Sequence, residues 1–264
     1  MIREIKKNEE KSIVLQYIGD NYYRCLYLYI DLTYYSLENG EIKCWIQYDK
    51  YNNITLVMLQ YHSALHVYSD KNNFDMLELM RHFEKLKFSI VCGKAEIIKK
   101  MSMSIPSFES EIGCVGRLYE MEQFEDNTTE LATINDIRDI AEMVYSDEDS
   151  GASYNLDDLV EQMTERFIHG FSRNMIIREN GLVVANVSTG GETEKITTLN
   201  NVIVRKEYRR RGLAKRVYMG LCNELLSEGK EVYSIYYVPE SVALHKKMGF
   251  VELCKYGKLF ARTH

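Results

Sequence analysis

The sequence has no run of the ~18 apolar residues that a membrane helix needs. Its N-terminus, MIREIKKNEEKS, is charged and lacks the apolar core of a signal peptide. These absences point to a soluble, cytoplasmic protein without a membrane partner. A basic excess is also missing. The 33 Lys and Arg residues stand against 39 Asp and Glu, a net charge of −6, which argues against a general nucleic-acid binder. The six cysteines (Cys25, Cys44, Cys92, Cys114, Cys222 and Cys254) form no CxxC pair and no Cys/His cluster with zinc-like spacing. They read as reduced, mostly buried thiols, and no metal is expected. Proline is scarce, at two residues, while tyrosine numbers 20; tyrosine serves strands and cores, so that count carries no function.

What is present is enough apolar matter for two cores. Hydrophobic residues make up 45% of 264 positions, and that length suits two domains of about 130 residues each. In the first forty residues, Lys11–Ile18 reads as helix, and the tyrosine-rich run Tyr22–Leu32 as either helix or buried strand. Cys44–Tyr48 and Ile54–Gln60 predict a hairpin and Leu65–Tyr68 a third strand. Phe74–Leu86 has helical spacing, Phe88–Cys92 is strand-like, Lys94–Met101 a short helix and Cys114–Met121 a closing strand. The polar segment Glu122–Thr129 is the expected linker, giving domains of 1–125 and 130–264.

The second half opens with a helix over Thr133–Tyr145. A second follows, capped by Asn155 and ended at Gly170. Asn174–Arg178 and Leu182–Ser188 flank an Asn180-Gly181 turn suited to a type I′ hairpin. Then come a strand over Lys195–Val204, an amphipathic helix from Ala214 to Leu226, a strand over Glu231–Val238 and a helix over Glu240–Met248. Two closing strands, Phe250–Tyr256 and Lys258–Arg262, complete it. The two halves share an order of elements, which suggests two copies of one fold.

The chemistry concentrates in Asn201–Ala214, NVIVRKEYRRRGLA. A β-branched strand runs into a basic turn that opens directly on a helix. Residues 205–216 carry seven basic side chains against one acid, Glu207. Helix N-termini expose unpaired N–H groups and partial positive charge. Gly212 lacks a Cβ and lets an anion approach the backbone; Ala214 keeps the next turn open. A diphosphate fits such a turn.

Here the sequence resembles the GNAT acetyltransferase family, whose Gln/Arg-x-x-Gly-x-Gly/Ala signature binds the coenzyme A pyrophosphate. Arg209-Arg210-Arg211-Gly212-Leu213-Ala214 matches all three defining positions. The resemblance implies that Arg209, Arg210, Arg211, Gly212, Leu213, Ala214 and Lys215 hold the pyrophosphate, while main-chain groups of Val202, Ile203 and Val204 hold the pantetheine arm. It implies acetyl-CoA as cofactor and an α/β (α+β) architecture of tandem GNAT-like folds, with a mixed central sheet flanked by helices. Of a second family pattern, Leu244, Lys247, Gly249 and Phe250 agree, while Val238 stands for the usual Asn and His245 for the usual Tyr. The ending Gly257-Lys258-Leu259-Phe260 is similar to the glycine-N-acyltransferase-like branch.

The family reaction is direct attack of an amine on the thioester within a ternary complex, so no cysteine is expected as nucleophile. The resemblance implies His245 as the acid for the departing sulfur, since an imidazole titrates near neutrality. Tyr236 and Tyr237 are substitutes, of which alternation sends at most one toward the cofactor; Tyr237 is the candidate. Glu148 and Asp149 could bind a cationic amine, and Asn186, Ser188, Asn200 and Asn201 could line an acceptor cleft. The first half has Ser69-Asp70-Lys71-Asn72-Asn73 where the signature would fall, so that copy is expected to be degenerate and to bind no coenzyme A. The expected protein is an N-acetyltransferase for a small amine, monomer or homodimer. The alternative is an acyl-CoA-binding regulator without chemistry.

Overall fold

The computed structural model describes residues 1–105, 107–123, 126–147 and 155–261. Along the chain one order of ten elements occurs twice. The first pass is β1 (Ile2–Ile5), α1 (Lys11–Ile18), α2 (Leu26–Tyr34), β2 (Ile42–Tyr48), β3 (Ile54–Tyr61), β4 (Ala64–Tyr68), α3 (Met76–Phe83), β5 (Ile90–Lys94), α4 (Ala95–Ser102) and β6 (Phe108–Leu118). The second is β7 (Thr129–Leu131), α5 (Ile137–Tyr145), α6 (Leu156–Ile168), β8 (Asn174–Glu179), β9 (Leu182–Glu192), β10 (Ile196–Val204), α7 (Leu213–Ser227), β11 (Glu231–Tyr236), α8 (Pro239–Lys247) and β12 (Val251–Ala261).

The chain forms two compact units that are not contiguous halves. One holds residues 1–116, 235–242 and 252 onward; the other holds 117–234 and 243–251. In the first unit β1, β2, β3 and β4 are antiparallel neighbours, and β4 pairs in parallel with β5 across α3. The chain's last strand then joins this unit. Tyr256–Phe260 of β12 run antiparallel to Lys94–Ile90 of β5, with β6 on the far side of β12. Leu259 is buried in the core that α3 and α4 build with β2–β5. Gly257 is needed there, because a Cβ would lie 2.8 Å from Ile112 and 2.9 Å from Ile98.

The second unit repeats the pattern. Strands β7, β8, β9 and β10 are antiparallel, and β10 pairs in parallel with β11 across α7. One sheet face packs Leu213, Val217, Tyr218, Leu221, Cys222 and Leu225 of α7 on Met175, Val187, Leu199 and Val232. The other packs Ile140, Ala141 and Val144 of α5 and Leu159 of α6 on Ile176, Val183 and Ile203. Asn155 caps α6, its Oδ1 accepting from Asp157 N at 3.0 Å. Asn180 and Gly181 both have positive φ (51° and 81°), as a type I′ turn requires.

Tyr22–Leu32 proves helical: a 3₁₀ turn over Gly19–Arg24 leads into α2. β1 and β7 were not expected, being short edge strands with little alternation, and β7 begins at the end of the expected linker. The two expected closing strands are one strand, β12. Among the described residues no helix is long and apolar enough to cross a membrane, and no cluster of His, Cys, Asp and Glu could hold a metal.

Candidate functional site

In the second unit β10 and β11 stay paired only from Ile196↔Glu231 to Leu199↔Ser234. Beyond Leu199 the remaining length of β10 has no β11 partner in the register. On its other side β10 stays with β9, through an irregularity between Asn200 and Ile203 where Asn201 takes φ 49°. Asn186 Nδ2 donates to Asn201 O at 2.9 Å, Asn174 Nδ2 donates to Asn186 Oδ1 at 2.9 Å, and Ser188 Oγ donates to Asn200 O at 3.3 Å. Buried amides thus brace the irregular stretch, since a buried polar group must find a partner. The Asn186, Ser188, Asn200 and Asn201 positions do come together here, as supports of β10.

Val202 and Val204 are half-buried and Ile203 is 6% exposed, at the mouth of this opening. The turn that follows enters α7 at Gly212 in the left-handed region (φ 77°), with nothing within 4 Å of where a Cβ would stand. Arg210 also has positive φ, 65°. No side chain caps α7. Its first amides are therefore left for solvent or an anion. Leu213 is buried in the core, Ala214 is half-buried, and Lys215 is exposed.

The turn is less positive than its sequence. Four of its seven basic side chains are ion-paired: Arg205 to Asp139, Arg209 to Asp147, Arg211 to Glu179 and Arg216 to Asp126. Arg216 also holds Asp126's carboxyl well below the usual carboxylate range. No ion pair among the described residues engages Arg210 or Lys215, so these are the free cations beside the open helix end.

The first copy fills the same two places with its own side chains. α3 begins at Asp75, whose carboxylate accepts from Glu78 N at 3.0 Å, and Lys94 Nζ donates to Ser69 O (3.0 Å) and Asp70 O (2.9 Å) in the preceding loop. An anion there would meet a carboxylate already seated on the amides.

His245 of α8 is 3% exposed. Its Nε2 lies 2.7 Å from Ser234 Oγ, with donor and acceptor set by the imidazole's tautomer, and its ring stands edge-on to Tyr218 and Phe250. Tyr237 lies in the first unit, half-buried, where Lys258 Nζ sits 4.5 Å from its ring centre and Gly113 makes room for it. Burial raises its phenol well above the ordinary value. The structure therefore groups Val202–Val204, the 209–215 turn and His245 in one unit and leaves Tyr237 in the other. Glu148 and Asp149 lie outside the described residues. Ser234 was missed; its signal was a single hydroxyl in the otherwise apolar run Val232–Tyr236. All six cysteines are free. Burial pushes the Cys222 thiol up and the Cys92 thiol up to about 12, which leaves them protonated and poor nucleophiles.

The family profile described as GNAT acetyltransferase matches residues 31–259. No curated protein matches the chain. Among solved structures, a Drosophila protein aligns over 99% of this chain and 98% of its own at 11% identity and TM-score 0.68. A GCN5-related N-acetyltransferase-like protein from Streptococcus suis aligns over 96% and 99% at 16% identity and TM-score 0.61. A tandem GNAT protein from the clavulanic acid biosynthesis pathway aligns over 100% of both chains at 9% identity and TM-score 0.60. At such identities these likenesses speak for the fold, here a tandem GNAT fold. With 229 consecutive positions under the profile, the chain belongs to the GNAT acetyltransferase family.

Proposed function

We propose that the protein is a cytoplasmic N-acetyltransferase that moves the acetyl group of acetyl-CoA to the amine of a small acceptor by direct attack in a ternary complex. One observation carries this reading: an uncapped helix end, opened by Gly212 with free space beside it, follows a strand whose edge is unpaired from Asn200 to Val204. The amides at the start of α7, with Arg210 and Lys215, suit the diphosphate. Main-chain groups of Val202, Ile203 and Val204 suit the pantetheine amides. Arg209 and Arg211 serve the turn through their ion pairs, and Leu213 and Ala214 let the helix begin close to the ligand. When bound, acetyl-CoA supplies the activated acyl carbon: a C–N bond forms with the amine, and the C–S bond breaks.

The departing sulfur needs a proton or a donor. Tyr237, whose phenol holds its proton more tightly than an ordinary tyrosine, is a poor source for a thiolate of ordinary pKa about 8.5. His245, in the same unit as the turn, is the better placed acid. The inert thiols support a route without a covalent cysteine intermediate. The similarity of Gly257–Phe260 to the glycine-N-acyltransferase-like branch falls in β12, paired with β5, and so speaks to strand pairing rather than to acceptor choice.

Calorimetric titration with acetyl-CoA, followed by mass-spectrometric search for acetylated products over a panel of amines and amino acids, tests the proposal. Absence of acetyl-CoA binding overturns it. Binding with no product from any amine favours the second reading, an acyl-CoA-binding regulator, for which Val238 and His245 in place of the family's Asn and Tyr are the support.

A further inference from the structure

Ser234 occupies a singular place in the second unit. It forms the last rung of the β10/β11 ladder, opposite Leu199, where the two strands part. Its side chain lies two residues beyond Val232 and so on the same sheet face, the one covered by α7. There its hydroxyl meets the imidazole of His245 at 2.7 Å. Ser234 is 2% and His245 3% exposed. The unpaired stretch Asn200–Val204 spans about 15 Å at ~3.3 Å per residue, on the order of an extended pantetheine arm. An arm anchored at Gly212 and laid along this stretch brings its sulfur to the closed end of the opening, which is Ser234.

We infer that Ser234 is a catalytic residue: its hydroxyl faces the coenzyme sulfur and relays a proton to it from His245, which acts as a positioning and proton-holding residue behind it. The inference rests on acetyl-CoA lying along β10 as proposed above. As the C–S bond breaks, the sulfur takes the Oγ proton of Ser234. Ser234 takes the Nε2 proton of His245, and imidazolium becomes imidazole. The proton released by the newly acylated nitrogen goes to solvent, from which the imidazole is reprotonated, so no net charge accumulates. Against the ring stands one titratable side chain from another element, Tyr218 of α7, edge-on at 5.5 Å. The charged neighbours on α8, Lys246 and Lys247, are exposed.

The test needs no acceptor. Coenzyme A is bound to the full-length protein, and its thiol is titrated by the ultraviolet absorbance of the thiolate. In the wild type the relay should hold the bound thiol below the free value of about 8.5. Ser234→Ala should raise it by about one unit, a tenfold loss of thiolate at fixed pH, with coenzyme A affinity within about threefold of wild type. His245→Gln, which keeps a hydrogen-bonding group but does not titrate, should raise it similarly. Ser234→Thr, which keeps the hydroxyl, should retain the low value. Identical thiol titrations in the wild type and Ser234→Ala overturn the relay while leaving coenzyme binding intact. Failure of the wild type to bind coenzyme A overturns both this inference and the proposed function. A thiol shift in Ser234→Ala that Ser234→Thr does not reverse assigns the pair a packing role and overturns the relay.

Discussion

Asp75 holds at the start of α3 the place that Gly212 holds at the start of α7. One helix end is closed by its own carboxylate and the other is left bare. A single carbon skeleton thus separates a copy suited to a diphosphate from a copy that caps itself.

Gly212→Asp should convert the second kind of end into the first. Nothing lies within 4 Å of the new Cβ, and a non-glycine residue at this left-handed φ costs only about 1–2 kcal/mol. The fold should survive, with a thermal midpoint a few degrees lower. The new carboxylate would take the exposed amides and repel phosphate, so calorimetry should show acetyl-CoA affinity falling at least tenfold, about 1.4 kcal/mol.

Local patterns made much of this molecule readable. The type I′ turn at Asn180-Gly181, the Asn155 cap and the α7 stripe all depend on residues within a few positions of one another. The cofactor turn was legible for the same reason. Tertiary partners were not. Nothing near Gly257 in sequence announces that β12 crosses to β5, because its fit is set by Ile98 and Ile112. The ion pairs that quiet the basic turn come from acids scattered from Asp126 to Glu179. Ser234 and His245 are eleven residues apart and meet only when α8 packs back on β11.

The placement of β12 has an energetic consequence for the first unit. Leu259→Ala empties a fully buried position in that core. Unfolding in urea should show a loss of about 2–5 kcal/mol. Hydrogen exchange should quicken in β4 and β5, far away in sequence, before it quickens in β8 and β9. Equal acceleration in both units would contradict the assignment of β12 to the first.

Asp136 gives a pH prediction. Arg178 Nη1 donates to its Oδ1 at 2.8 Å and Thr133 N to its Oδ2 at 2.8 Å; the arginine above all lowers its carboxyl to about 2. A carboxyl depressed in the folded state adds stability that is fully present above the unfolded value of about 3.9 and is lost as pH falls through the folded one. Asp136→Asn should therefore cost about 1–2 kcal/mol at pH 7. The gap between mutant and wild type should close between pH 4 and pH 2 in denaturant titrations. A gap that is constant over that range would mean the charge is not the source.

Glu179 offers a gain rather than a loss. Its carboxylate takes Arg211 Nη2 at 2.5 Å and Nη1 at 3.2 Å, beside the start of α7. Both side chains are substantially exposed, so the pair itself adds little to stability, about 0–1 kcal/mol. Glu179→Gln should leave the unfolding midpoint nearly unchanged and release the Arg211 guanidinium to a nearby diphosphate. Acetyl-CoA should then bind two- to fivefold more tightly at low ionic strength, roughly 0.4–1 kcal/mol. The gain should fade as salt rises toward 0.5 M, because exposed charges are screened over a shortening distance. An affinity indifferent to both the substitution and the salt would place the diphosphate away from this turn.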